Sequence, residues 1–169
     1  YCSTAFAVFN AGLKPILVDT EFLKPTIDLY DLKKKINRKT KVILPVHLYG
    51  SVADLTGIKK LIKKKKIFLI DDCAQAHGSL DDSMIVKKKK KIGSTTDISC
   101  FSLYPGKNLG AYGDAGIITT NNKVLYDRMK KIRNLGSDKK FKHDYIGLNS
   151  RLDTIQALIL NRKIKNLSF

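Results

Sequence analysis

The sequence has little arginine, and its lysine runs contain no aromatic residues. Only five of its 32 basic residues are arginine, the residue suited to bidentate contacts with phosphate and guanine. The net charge of +17 therefore does not by itself indicate a nucleic-acid-binding protein. The lysine runs 63–66 and 87–91 are typical of solvated faces, although a basic surface also attracts anionic substrates. A functional anionic partner stays open as the less favoured alternative.

Cysteine is also scarce, and no apolar run is long. Cys2, Cys73 and Cys100 are far apart and form no CxxC pair, which argues against a disulfide framework and against a zinc site. Free thiols fit a reducing, cytoplasmic setting. No stretch reaches the length of a membrane span and no signal peptide is visible, so we expect no membrane partner.

The chain begins with Tyr1 rather than methionine, and its last residues still follow a helical pattern. A length of 169 residues is enough for one domain with a real core. We therefore expect residues 1–169 to form one domain, or part of one, within a longer protein.

Apolar runs alternate with amphipathic segments along the chain. The pattern predicts strands at 14–19, 41–47, 67–70, 97–103 and 115–120. It predicts a buried helix at 1–11 and further helices at 28–36, 54–62, 122–135 and 153–167, with an exposed excursion or hairpin at 79–96. Such alternation is typical of a parallel sheet covered by helices on both faces. The expected fold class is α/β, a three-layer α/β/α arrangement with a mostly parallel central sheet.

In an open parallel sheet, ligands bind beyond the carboxyl ends of the strands, so residues that follow strands are the candidates for a site. Asp71 and Asp72 end one predicted strand, but adjacent strand residues point to opposite faces and do not readily ligate one ion with His77. We therefore predict no metal site. We interpret His47 and His77 as structural histidines.

Lysine chemistry is the remaining possibility. Lys107 lies in a glycine-punctuated loop after one predicted strand, and Asp72 follows another. A phosphate-binding P-loop is excluded because Asn108 stands where that motif has serine or threonine. A lysine with an acid on a neighbouring strand suits a Schiff base with pyridoxal phosphate. The alternatives are a solvated surface lysine and an aspartate that caps a loop.

Four motifs resemble those of the DegT/DnrJ/EryC1/StrS family of sugar aminotransferases. They are PVHLYG at 45–50, IDDCAQAHG at 70–78, CFSLYPGKNLGAYGDAG at 100–116 and GLNSRLD at 147–153. They occur in the family's order and spread over nearly the whole chain. The resemblance implies a fold type I enzyme that uses pyridoxal phosphate to move an amino group, usually from glutamate, onto a keto group of a nucleotide-linked sugar.

Individual roles carry over from the resemblance where residues match. Lys107 takes the place of the Schiff-base lysine, and Asp72 that of the partner to the pyridine nitrogen. Gln75 matches the residue near the 3-hydroxyl of the cofactor, and Ser102 a hydroxyl donor to its phosphate. Tyr1 falls where the family has the aromatic residue stacked on the ring.

The resemblance also implies partners and missing parts. Asn149 matches an asparagine that reaches the cofactor phosphate of the neighbouring subunit, which implies a homodimer with shared active sites. The upstream phosphate-binding turn and the C-terminal small domain of the family are absent from this chain. The amino-acid sequence of residues 104–110 is more similar to that of members that act on 3-keto sugars than to that of perosamine-type 4-keto enzymes.

The sequence departs from the family pattern in three places. The segment 79–92 is longer and richer in lysine, Thr96 stands where glycine is common, and Phe6 stands where a small polar residue is usual. Two alternatives stay open: an inactive or regulatory relative, and a basic nucleic-acid-binding domain. The first alternative includes dehydratase-like relatives. Because the dehydratases have histidine in place of the lysine, Lys107 argues against a dehydratase.

Overall fold

The computed structural model describes residues 1–81 and 90–167, which form five helices and six strands. The helices are α1 (Cys2–Asn10), α2 (Leu29–Lys35), α3 (Leu55–Ile62), α4 (Lys123–Ile132) and α5 (Thr154–Lys163), with 3-10 turns at Leu48–Gly50 and Ile164–Asn166. The strands are β1 (Val42–Ile43), β2 (Phe68–Asp72), β3 (Leu80–Asp81), β4 (Lys90–Lys91), β5 (Ile98–Ser102) and β6 (Gly116–Thr119).

The central sheet has the order β1-β2-β5-β6. The β1–β2 and β2–β5 pairs are parallel, and β6 joins β5 antiparallel at one edge. In the parallel register, Asp71 lies opposite Ser99 and Asp72 opposite Cys100. The predicted α/β class with a mostly parallel sheet is confirmed. The antiparallel direction of β6 was not predicted.

The main apolar core lies between one face of the sheet and helices α2 and α3. In α3 the residues Leu55, Ile58 and Ile62 are buried, and they share this core with Ile43 and Leu69 of the parallel strands. This packing fixes the β1–β2 pair, and with it the side chains at the carboxyl end of β2.

The start of α3 is set by a side-chain cap. Asp54 accepts a hydrogen bond of 2.7 Å from the backbone N–H of Gly57.

A second apolar cluster holds the segment that follows β5. Leu103, Leu109 and Ala111 are buried there against Leu160 of α5. Two apolar anchors thus flank the loop that carries Lys107, and a helix from the end of the described chain covers them.

Two predictions for the first part of the chain are wrong. The helix at 1–11 forms as α1 but is not buried, since none of its residues falls in the core and Phe6 and Phe9 are 58% and 59% exposed. Segment 14–19 is not a strand. An apolar segment is buried only where other residues pack against it. Few of the described residues pack against the first part of the chain, so its apolar side chains are exposed.

The predicted strand at 41–47 is shorter in the structure. Regular pairing covers Val42–Ile43, and an isolated bridge joins Val46 to Asp72. Between them lies Pro45, which has no N–H to donate to a neighbouring strand.

The two C-terminal helices also differ from the prediction. α4 ends at Ile132, because the chain turns through Leu135 at φ 59° and the Leu135 N–H donates to the carbonyl of Leu148. In α5 the buried residue is Leu160, whereas Ile155 and Leu158 are exposed. The helix ends at Lys163 and continues as a 3-10 turn.

The lysine-rich insertion begins and ends as an antiparallel pair. Leu80 lies opposite Lys91 and Asp81 opposite Lys90, in agreement with the hairpin alternative. Residues 82–89, which include most of the second lysine run, lie outside the described residues. No helix in the described ranges has both the length and the apolar character of a membrane span.

Candidate active site

The carboxyl end of β2 presents two acids to opposite faces of the sheet, as their adjacency predicted. Asp71 is fully buried. Asp72 instead faces α1, where the Thr4 hydroxyl donates to its Oδ2 at 2.8 Å. The backbone N–H of Ala74 donates to its Oδ1 at 3.0 Å. Asp72 is thus oriented by two hydrogen-bond donors.

Asp71 anchors a buried network on the other face. Its Oδ2 lies 3.1 Å from Nε2 of His47, which is also fully buried. The backbone N–H of Ala53 donates to Nδ1 of the same ring at 3.1 Å, so Nδ1 is the acceptor and Nε2 carries the hydrogen given to Asp71. His47 therefore has both ring nitrogens satisfied, as expected of a structural histidine.

Hydroxyl groups complete the shell around Asp71. Thr96 donates to its Oδ1 at 2.6 Å, and the hydroxyls of Thr96 and Ser99 lie 2.8 Å apart. Burial raises the pKa of Asp71, but interactions with His47, Ser99 and Thr96 outweigh it and lower the pKa. The network therefore stabilises the fold above about pH 4 and loses that contribution as the pH falls through the lowered pKa.

Thr96 is the position at which the resemblance leads us to expect glycine. Its hydroxyl contacts Asp71, Ser99 and the carbonyl of Ile98. The departure thus adds a donor to the buried carboxylate.

His47, Asp71 and Cys73 together have the side-chain types of a metal site, and their ligand atoms lie within 4.8 Å of one another. Hydrogen bonds already occupy these ligand atoms. The Cys73 thiol lies 3.4 Å from Asp71 Oδ2, and both ring nitrogens of His47 have hydrogen-bond partners. Burial raises the pKa of the Cys73 thiol far above its ordinary value, which disfavours the thiolate that a metal needs. We interpret the trio as structural.

Lys107 lies on a loop that closes on itself. The Ala111 N–H donates to the carbonyl of Leu103 at 2.8 Å, and the Lys107 N–H donates to the carbonyl of Tyr104 at 2.9 Å. Gly110 is required for this closure, because a Cβ at that position would collide with the backbone of Pro105.

Helix α5 holds the loop from outside. Lys163 Nζ donates to the carbonyl of Gly110 at 2.7 Å. Gln156 Oε1 accepts from the Tyr112 N–H at 2.8 Å. The sequence placed both side chains on a helix but gave no signal of these partners, which are separated from them by 53 and 44 residues.

Lys107 itself is partly buried, and it forms no ion pair within residues 1–81 and 90–167. Its charge reaches His77, whose ring packs against Phe101 with centroids 5.5 Å apart. Burial lowers the pKa of His77, and the charge of Lys107 lowers it further. The Ser102 carbonyl lies near enough to oppose this lowering.

His77 differs from His47 in its hydrogen bonding. Both ring nitrogens of His77 are buried, and neither has a hydrogen-bond partner among the described residues. The nearby Ser102 carbonyl does not meet hydrogen-bond geometry with the ring. His77 thus differs from the structural histidine His47, because its ring nitrogens lack hydrogen-bond partners among the described residues.

Gln75 and Ser102 lie at the same end of the sheet and retain free donors. Gln75 accepts a hydrogen bond of 2.8 Å from the Tyr49 N–H through its Oε1, which leaves its amide hydrogens available. The Ser102 hydroxyl oxygen accepts a weak hydrogen bond of 3.4 Å from the Tyr104 N–H, and its own hydrogen can point elsewhere.

Tyr1 and Asn149 are both exposed. Tyr1 precedes α1, about one helical turn before Thr4, which contacts Asp72. Asn149 lies on a segment paired with the chain after α4, opposite Asn134. The described contacts do not join Asn149 to the lysine loop.

Cys100 is paired in register with Asp72, so the two side chains share one face of the sheet. Burial, aided by the charges of Asp72 and Asp71, raises the pKa of the Cys100 thiol to about 11. The sequence did not single out Thr4 or Cys100 as neighbours of Asp72. Thr4 lies 68 residues away along the chain, so no local pattern reports the contact.

The chemistry of these side chains fits pyridoxal phosphate. Asp72 offers a carboxylate to a cationic ring nitrogen, and Lys107 offers an amine that no described carboxylate holds. Gln75 and Ser102 offer donors for oxygen atoms. The two ring nitrogens of His77, which lies near enough to Lys107 to feel its charge, are buried without hydrogen-bond partners among the described residues. Hydrogen-bonding groups thus remain available close to Lys107.

Comparisons with known proteins concern the family and the fold of the chain. The model of the DegT/DnrJ/EryC1/StrS aminotransferase family matches residues 1–169. A dTDP-3-amino-3,6-dideoxy-alpha-D-galactopyranose transaminase of Aneurinibacillus thermoaerophilus is 42% identical over 99% of the chain. A GDP-perosamine synthase of Escherichia coli O157:H7 is 37% identical over 94% of the chain.

A solved structure shows the same fold. The crystal structure of S. venezuelae DesV in complex with a ketimine intermediate superposes with a TM-score of 0.92, at 36% identity over 98% of this chain. The chain spans less than half the length of these proteins: 44% of the A. thermoaerophilus transaminase, 42% of the perosamine synthase and 43% of DesV.

We predict that His47→Ala destabilises the fold strongly, because it leaves the buried carboxylate of Asp71 without its imidazole donor. The free energy of unfolding should fall by about 3 kcal/mol. Urea denaturation followed by circular dichroism measures this change. His143→Ala is the control, since that histidine is exposed, and it should cost less than about 1 kcal/mol. Equal costs for the two variants would contradict the role assigned to the network.

Proposed function

Because the chain belongs to the DegT/DnrJ/EryC1/StrS aminotransferase family, as its motifs predicted, we propose that the whole protein is a nucleotide-sugar aminotransferase. It transfers an amino group from glutamate to a keto group of a nucleotide-linked sugar, with pyridoxal phosphate as cofactor. The observation that carries the proposal is the position of Asp72 and the Lys107 loop at one end of the sheet: Asp72 ends β2, and the loop follows the neighbouring parallel strand β5.

Asp72 is proposed to keep the pyridine nitrogen of the cofactor cationic. When bound, pyridoxal phosphate supplies an electron sink for the carbon that gains or loses the amino group. The Thr4 hydroxyl and the Ala74 N–H donate to this carboxylate and orient it. A fixed negative charge at this position costs no reorganisation during the reaction.

Lys107 is proposed to have two tasks. Its Nζ would hold the cofactor at its aldehyde, and the same atom, when not engaged there, would carry the proton that moves between the two reacting carbons. The closed loop and its buried anchors Leu103 and Leu109 limit how far the lysine can move. Both tasks require Nζ to return to one position.

The other predicted residues are proposed to bind rather than to react. The free amide hydrogens of Gln75 suit the 3-hydroxyl of the cofactor, and the Ser102 hydroxyl suits its phosphate. Tyr1 would stack on the ring. Its position before α1 supports this role, since the first turn of that helix reaches Asp72 through Thr4.

Asn149 is proposed to act across a subunit interface. Its exposure supports contact with the cofactor phosphate of a neighbouring subunit in a homodimer with shared active sites. We likewise propose that the whole protein has two parts that this chain does not contain. They are an upstream turn that binds the cofactor phosphate and a downstream small domain. A cytoplasmic location remains a prediction.

The substrate is proposed to be a 3-keto rather than a 4-keto nucleotide sugar. The amino-acid sequence of residues 104–110 supports this choice. The name of the A. thermoaerophilus relative, a 3-amino-sugar transaminase, also supports it. The similarity to a perosamine synthase makes the 4-keto sugar the alternative. A regulatory relative without catalysis remains a second alternative, which Lys107 disfavours.

For Lys107→Ala, we predict loss of covalent cofactor attachment in the whole protein. The wild type should be yellow with added pyridoxal phosphate, and borohydride reduction followed by peptide mass spectrometry should place the adduct on Lys107. Lys130→Ala, which removes an exposed lysine of α4, should keep the adduct. An undiminished adduct on another lysine in Lys107→Ala would contradict the assignment.

For Asp72→Asn, we predict retained cofactor binding with a slow half-reaction. The neutral amide cannot keep the pyridine nitrogen cationic, so the rate with glutamate should fall on the order of 100-fold. Stopped-flow absorbance of the loaded enzyme measures this rate. Asp127→Asn on the exposed face of α4 is the control and should react at the wild-type rate. An unimpaired Asp72→Asn enzyme would rule out this role.

For the substrate, we predict that the whole protein aminates a 3-keto nucleotide sugar at least about 10-fold more efficiently, in kcat/KM, than its 4-keto isomer. The two isomers place the carbonyl at different points relative to the fixed Lys107 loop. Product formation from each isomer with glutamate can be followed by mass spectrometry. Preference for the 4-keto isomer would overturn the choice of sugar without touching the proposed transamination.

A further inference from the structure

A basic cavity of about 440 Å³ lies at the end of the sheet opposite to the candidate active site. Four cationic side chains line it: Arg38, Lys41, Lys65 and Lys66. Lys41 directly precedes β1, and Ile67 on the floor directly precedes β2. Because a strand rises about 3.3 Å per residue, Ile67 lies about 17 Å along β2 from Asp72. The cavity is therefore separate from the proposed catalytic residues.

The wall that carries Arg38 is a hydrogen-bonded turn. The Asn37 N–H donates to the Thr40 hydroxyl at 3.0 Å, and the Lys39 N–H donates to Asn37 Oδ1 at 2.8 Å. The Thr40 N–H donates to the carbonyl of Asn37 at 3.1 Å. These bonds fix the backbone beneath Arg38, so the guanidinium extends from a defined position.

The opposite wall is fixed by the end of α3. The Lys65 N–H donates to the carbonyl of Ile62, a buried residue of the main core. The Phe68 N–H donates to the carbonyl of Lys41 at 2.9 Å and ties the two walls together. Ile36 and Ile67 supply apolar surface between them. The cavity is thus framed by ordered backbone on both sides.

The charge of the cavity is not balanced by the residues around it. No acidic residue lines it, and none of the four cations forms an ion pair within the described ranges. Nearby like charges repel, and a bound anion would relieve that repulsion. Lysines elsewhere in the described chain do pair with carboxylates, as Lys35 does with Asp31 and Lys131 with Asp144.

We propose that this cavity binds a small oligophosphate, an anion with two or more linked phosphate groups. The guanidinium of Arg38 supplies paired donors that match phosphate oxygens, and three ammonium groups supply further charge. The volume lies within the range of ordinary small-molecule sites. The site also accounts for part of the lysine run at 63–66, which the proposed transamination does not use.

Tripolyphosphate is the probe for this site, and titration calorimetry of the whole protein at moderate salt is the measurement. The site variant combines Arg38→Gln, Lys65→Gln and Lys66→Gln. The matched control combines Lys24→Gln, Lys60→Gln and Arg162→Gln, which removes the same charge from exposed positions outside the cavity. We expect the Kd to rise about 10-fold or more in the site variant and to change less than about 3-fold in the control.

Each other outcome overturns the proposal. Equal weakening in both variants would assign binding to net charge rather than to the cavity. No binding by the wild-type protein would remove the site. Tighter binding of a single-stranded oligonucleotide than of tripolyphosphate, at equal phosphate concentration, would favour a nucleic-acid surface instead. Transamination by both variants should equal the wild type, so failure of this site is distinguishable from failure of the proposed function.

Discussion

The buried carboxylate of Asp71 is the constraint on which the candidate site depends. A charge with no access to water must be satisfied by fixed donors, and here His47, Thr96 and Cys73 surround it. Because neighbouring strand residues alternate in direction, locking Asp71 to the core also determines where Asp72 points. The structural acid and the proposed catalytic acid are thus consecutive residues with opposite environments.

The lysine loop depends on a different core. Leu103 and Leu109 enter a small cluster closed by Leu160 of α5, and Lys163 of the same helix binds the loop backbone. The acid and the lysine are therefore held by separate apolar units that meet through the pairing of β2 with β5. A change in the α5 contact would move Lys107 without disturbing the network around Asp71.

Local patterns in the sequence predicted much of this arrangement but not its long-range contacts. The cap at Asp54 and the opposite directions of Asp71 and Asp72 follow from neighbouring residues, so they could be predicted. Thr4 and Lys163 could not, because their partners are distant in the chain. The burial expected for α1 was wrong since burial depends on a covering surface, which composition does not specify.

The register that places Cys100 beside Asp72 bears on chemoselectivity. Thiols and amines both add to aldehydes, and a thiolate would compete with Lys107 for an aldehyde at this end of the sheet. Burial and the adjacent carboxylates keep the Cys100 thiol almost wholly protonated at neutral pH. Burial first, and the carboxylates second, thus disfavour the thiolate of Cys100 beside the acid that is proposed to polarise the cofactor ring.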